Sequence, residues 1–122
     1  MTTNEHQSLM TRSLSDVFNQ RDPQQRATAI GEVYSTDIVF YEEDGTVTGA
    51  AALDERVQQL LDGAPGFVFK PVGQPVINHD LARQAWTFGP PDGPPVVFGT
   101  DIARIAGDRI QALYTFVEPS GS

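Results

Sequence analysis

Cysteine is absent from this chain of 122 residues, which excludes a disulfide framework, a thiol nucleophile and a thiolate metal site. Histidine is scarce, with two residues: His6 near the start, and His79 in the turn NHD, where an exposed turn position is expected. A metal site needs several convergent ligands, so none is expected. Basic residues are few, 8 Lys and Arg against 16 Asp and Glu, for a net charge of −8. With no basic patch or basic helix, nucleic acid and anionic membrane are not expected as partners. No apolar run is long enough to span a bilayer, and no apolar signal region follows Met1, so the expectation is a cytoplasmic protein. No Gly-rich phosphate motif follows a strand and opens a helix, so no cofactor is expected. Ser8, Ser13, Ser15 and Ser35 lack the context of a nucleophile.

What is present is ordinary globular material: 39% hydrophobic residues and 11 glycines, in a chain long enough for one real core. A single domain is expected over residues 8–118, with flexible ends at 1–7 and 119–122. Met10, Leu14, Val17 and Phe18 keep helical spacing, which predicts a first helix from about residue 8 to 20. Asp22-Pro23 is a start signal for a second, with Ala27, Ile30 and Tyr34 on one face. DIVFYEEDG reads as a strand ending in a turn, and a short strand over residues 46–48 can follow. A third helix carries Leu53, Val57, Leu60 and Leu61. The rest is strand-like, with Pro71 and Pro75 marking its first long strand as bulged or at an edge. Helices first and an antiparallel meander last make an α+β arrangement.

Asp101 is the anomaly. It stands in the middle of the strand VVFGTDIARI, where aspartate is depleted because it favours turns and carries charge toward a packed surface. It is either on a wet face or in a pocket that uses it. By strand alternation Val97, Gly99, Asp101 and Ala103 share one face, with Thr100, Ile102 and Arg104 on the other. If the first set faces inward, its small members leave room beside Asp101 for a ligand. In the last strand Leu113, Thr115 and Val117 point one way while Ala112, Tyr114 and Phe116 point the other. Both faces are apolar, so one can line a pocket and the other must meet something too. A homodimer through the outer sheet face is the economical expectation.

The segments RDPQQRATAIGEVYSTDIVFYEEDGTVTGAAAL (21–53), WTFGPPDGP (86–94) and GTDIARIAGDRIQALYTFVE (99–118) resemble the SnoaL-like domains of the nuclear transport factor 2-like superfamily. The resemblance implies a cone: a curved antiparallel sheet wrapped around three helices of the N-terminal half, with an internal, mostly apolar pocket. Fold alone does not give function in a superfamily that hosts isomerases, cyclases, hydrolases, dehydratases and ligand binders. Compared with ketosteroid isomerase, the general-base position matches Glu42 and the protonated-acid position matches Asp101. The oxyanion tyrosine position matches Leu14, so the phenol is missing. Tyr34 is a candidate to supply a hydroxyl instead. Compared with limonene epoxide hydrolase, the last-strand aspartate falls near Thr115 and the arginine position is Gly99, which disfavours that chemistry.

Two carboxyl groups in different environments can hold different protonation states at one pH, one as acid and one as base. Asp101 and Glu42 are therefore the candidate catalytic residues, and Tyr34, Trp86, Leu14, Gly99, Thr115 and Val117 the candidate substrate-binding set. Each has a plainer alternative: a hydrogen-bonded strand aspartate, an acidic loop at Glu42, core packing for Trp86 and Tyr34. The leading expectation is a cofactor-independent acid–base enzyme acting on a small hydrophobic or polycyclic molecule by isomerisation, cyclisation or dehydration. A binding protein with no turnover, and a dimerising interaction module with a filled cone, are the alternatives.

Overall fold

The computed structural model describes residues 2–118. Helix α1 (Thr3–Arg12) runs into a π-helical segment (Ser13–Phe18), followed by α2 (Pro23–Val33), β1 (Tyr34–Glu42), β2 (Gly45–Thr48) and α3 (Ala50–Asp62). Four strands complete the chain: β3 (Val68–Asn78), β4 (Leu81–Gly89), β5 (Val97–Ala106) and β6 (Arg109–Val117). All six strands form one sheet in the order β2-β1-β6-β5-β4-β3. The meander from β3 to β6 is antiparallel, as expected, but β1 pairs with β6 in parallel, so the sheet is mixed. The parallel pair arises because the whole of α3 and the meander lie between β1 and β6, and the last strand returns beside the first.

Curvature comes from local irregularities. The β3/β4 register shifts between Val72 and Val76, where Gly73 takes a positive φ of 74° between Pro71 and Pro75. An extra residue in one strand bends it and increases its twist. The prolines fit because β3 is an edge strand, as their placement predicts. Further shifts occur in β1/β6 and β5/β6. The sheet thus curls over the helices without closing, and the α+β cone follows.

The first helix differs from the expected 8–20. It begins at Thr3, so residues 3–7, including His6, are helical. Thr2 caps it, its hydroxyl accepting from the Glu5 backbone N–H at 3.2 Å. Thr2 and Glu5 carry the spacing of a capping box, a signal in plain view. The expected flexible tail at 119–122 lies outside the described residues. Tyr34 is not on the face of α2 but is the first residue of β1. Asp22 does cap α2, accepting from the N–H of Gln24 at 2.9 Å, with Pro23 at the first helical position.

The narrow end of the cone is aliphatic and closed. Val17, Val33, Ile38, Leu53, Val57, Ile110 and Leu113 are fully buried there, between the helices and the inner sheet face. Arg26, 2% exposed, clamps α2 to α3 by pairing with Asp54 at 2.6 Å and donating to the Gln20 carbonyl at 2.8 Å. A buried guanidinium is tolerated only when its donors are used in this way. Among the described residues, no helix is long and apolar enough to cross a membrane.

Candidate functional site

At the wide end the inner face changes character. Strand alternation turns Gly99, Asp101 and Ala103 inward on β5, and Asp101 is only 7% exposed. Across the β4/β5 ladder, Trp86 pairs with Gly99, and across β5/β6, Thr115 pairs with Asp101. The indole lies so flat on Gly99 that a Cβ built there would come within 2.2 Å of the ring. From that seat its N–H donates to Asp101 Oδ1 at 2.9 Å. The absent side chain of Gly99 is therefore not ligand space. It is the slot that lets a tryptophan reach the carboxyl, and Gly99 does not border the pocket.

Burial pushes the Asp101 carboxyl up to about 6, because the charged form loses its water. The Trp86 and Thr115 hydrogen bonds stabilise the carboxylate and hold the rise in check. Desolvation wins, so the group exchanges its proton close to neutrality.

The pocket in front of Asp101 has a volume of about 190 Å³. Trp86, Phe88, Thr115, Val97 and Val117 line it from the sheet, Leu14 and Phe18 from the π-helical segment, and Leu60 from α3. Phe69 of β3 stacks on Phe88 with centroids 4.1 Å apart and meets Trp86 edge-on at 5.2 Å. Phe40 and Glu42 of β1 complete the wall. The chamber is thus mostly aromatic and aliphatic, with carboxyl groups at two points, Asp101 and Glu42.

Those two points are not equivalent. Glu42 carries no free carboxylate: Arg56 of α3 grips it with two bonds, at 2.6 Å and 3.0 Å. The carboxylate in turn raises the Arg56 guanidinium above its already high value, so the cation is permanent. Tyr34 lies outside the pocket. Its hydroxyl is buried and hydrogen-bonded to that of Ser13, and burial pushes the phenol above its ordinary range. It offers the pocket no hydroxyl.

Of the residues singled out in the sequence, the fold brings Asp101, Glu42, Trp86, Leu14, Thr115 and Val117 together and leaves out Tyr34 and Gly99. Sequence reasoning missed Arg56, although it stands four residues before Leu60 and so shares its helix face. It also missed Phe88, which shares a strand face with Trp86, and Phe69 on the neighbouring strand. Among the described residues, no group of three or more His, Asp or Glu could hold a metal ion.

The site is thus an apolar chamber with one buried carboxyl, held between a curled sheet and the helices. Family comparison then places it: residues 11–113 match the SnoaL-like domain, and the chain belongs to that family. Three solved structures show the same fold. A candidate isomerase of the SnoaL-like family from Agrobacterium tumefaciens aligns with a TM-score of 0.87 at 20% identity, over 96% of this chain and 100% of its own. A candidate ketosteroid isomerase from Kribbella flavida aligns at 0.76 and 13%, over 98% and 82%. A candidate polyketide cyclase from Sinorhizobium meliloti aligns at 0.72 and 18%, over 89% and 94%. Comparison with curated proteins finds no match. At such identities the likeness speaks for the fold alone.

Proposed function

We propose that this protein is a cofactor-independent acid–base enzyme acting on a small apolar molecule that carries a carbonyl group. The observation that carries this reading is the Asp101 carboxyl, raised to about 6 at the end of an apolar chamber. A catalytic acid–base group works best when its pKa lies near the working pH. Glu42 is committed to Arg56, so Asp101 handles the proton at both ends of the reaction. As carboxylate it takes a proton from the carbon beside the carbonyl. As carboxylic acid it returns that proton to another atom of the same substrate, so no proton leaves the site. Isomerisation is the simplest reaction of this form, in keeping with the family's isomerase-type neighbours.

The test begins without a substrate. A carbon-detected NMR titration of the Asp101 carboxyl, assigned by comparison with Asp101→Asn, should report a midpoint near 6 rather than the ordinary value of about 3.9. A midpoint near 3.9 would remove the acid–base role. A screen of small ketones for proton exchange at the adjacent carbon should then find activity that Asp101→Asn abolishes.

A second reading, ligand binding without turnover, is favoured by one observation: Leu14 stands at the wall position where a phenol could have stabilised an oxyanion. Ligand-induced stabilisation with no exchange in any substrate would select it. In either reading the chain forms a homodimer through its outer sheet face. Tyr41 stacks on Tyr114 there with centroids 4.2 Å apart, and Phe98 and Phe116 are exposed at 46% and 58%. Sedimentation should show a dimer that Phe116→Asp breaks; an unchanged dimer would place the interface elsewhere.

A further inference from the structure

Beside the Asp101 chamber lies a second pocket of about 180 Å³, between the π-helical segment and the bulge of β3, with the exposed Thr11, Ser15 and Gln74 on its solvent side. Leu14 borders both cavities. The two differ in chemistry. The front chamber is walled by aromatic rings, whereas the rear one presents Ser15, Asn19 and Gln84. Gln84 is directly opposite Asp101 across the β4/β5 ladder, so the two rooms are neighbours on the sheet.

The wall between them is fixed. Asn19 N–H reaches back to the Leu14 carbonyl at 3.0 Å, closing the wide π turn. The Asn19 side chain is bonded to both backbone groups of Phe69, at 2.8 Å and 2.7 Å, which pins this turn to β3. Gln84 in turn donates to the Gly73 carbonyl at 3.1 Å and holds the bulge. Leu14 is therefore a partition rather than a flap, and π turns inside helices are frequent at functional sites.

Size gives the partition its meaning. A cavity of about 150 Å³ lined by apolar side chains admits benzene. The front chamber is slightly larger, so it holds one substituted ring. With the rear room joined to it the space would about double, enough for two or three fused rings by the same measure.

We propose that Leu14 is the specificity-determining residue of this pocket: it limits the ligand to a single substituted ring and shuts the polar room beside Gln84. The inference rests on the small-molecule reading above and names the ligand class for that site.

Calorimetric binding of acetophenone (one ring) and 9-fluorenone (three fused rings) tests it in the wild type and in Leu14→Ala. The wild type should prefer acetophenone by about tenfold or more, and Leu14→Ala should reverse that preference by a similar factor. Leu14→Val, a milder truncation, should move the ratio in the same direction and keeps the test available if the alanine variant fails to fold. A wild type that takes 9-fluorenone as tightly as acetophenone, or a ratio unchanged by truncation, overturns the partition while leaving the pocket reading intact. If neither ketone binds any of the three proteins, the small-molecule reading falls and the partition falls with it.

Discussion

The two ends of the cone are built from the same elements and obey opposite rules. At the narrow end, α2, α3 and the sheet bury Val33, Ile38, Leu53 and Val57 completely, and the buried Arg26 is paired with Asp54 and the Gln20 carbonyl. At the wide end the side chains are larger and aromatic, they leave an open chamber of about 190 Å³, and a carboxyl is buried with only partial compensation. Close packing maximises dispersion and leaves no room for a ligand. Aromatic rings meeting edge-on, as Phe69 and Trp86 do, are rigid enough to hold a void open. One end stabilises the fold, and the other is where the fold gives up stability.

The strongest way to break this comparison is to remove the cost at the wide end. Asp101→Asn should lose about 10²–10⁴-fold in turnover if Asp101 is the acid–base group, yet gain stability. A carboxyl whose folded pKa is raised contributes stability that is complete below its unfolded pKa and lost as pH rises through the folded one. For Asp101 that window runs from about 3.8 to about 6, and the loss amounts to about 3 kcal/mol at neutral pH, at about 1.4 kcal/mol per pKa unit. Denaturant melts across this window should show the wild type weakening relative to Asp101→Asn. Parallel curves for the two proteins would mean that Asp101 is wet.

Leu53→Ala probes the other end. Removing a fully buried leucine should cost about 2–5 kcal/mol in chemical denaturation, with the Asp101 titration unchanged. A shifted midpoint would show that the two ends are coupled.

Gly99→Ala tests the joint between packing and chemistry. The new methyl must displace the Trp86 ring, at a cost of about 1–3 kcal/mol. It should also weaken the indole bond that lowers the Asp101 pKa, so the NMR midpoint should move upward and tryptophan fluorescence should change. A displaced ring with an unmoved midpoint would deny the bond its role.

Arg56→Gln should give the smallest effect. The Arg56–Glu42 pair is partly exposed, at 31% and 20%, and such pairs contribute at most about 1 kcal/mol. Its sharper readout is activity: if Asp101 works alone, turnover should survive this change.

Much of this was legible along the chain because the relevant physics is local. Strand alternation alone grouped Gly99 with Asp101 on β5 and Thr115 with Val117 on β6, and the Asp22-Pro23 start and the proline-marked edge strand rest on backbone rules that need no partner. The early helix start at Thr2 was equally local and was overlooked. Tyr34 was misplaced because helical spacing continued one residue beyond the last helical turn, where the chain already turns extended. The Arg56–Glu42 pair lay beyond local reach, since 14 residues separate the partners and the rotation of α3 over β1 decides whether they meet.

Sequence alone therefore determined the class of fold, the single acidic interruption of an apolar strand face, and the lack of any thiol. These follow from periodicity and residue type, which act within a few residues. Only the tertiary structure decided that Gly99 is a seat for Trp86 rather than open space, that Glu42 is taken, and that Leu14 divides two cavities. Each of these depends on register and on the distance between layers, which are set by long-range packing.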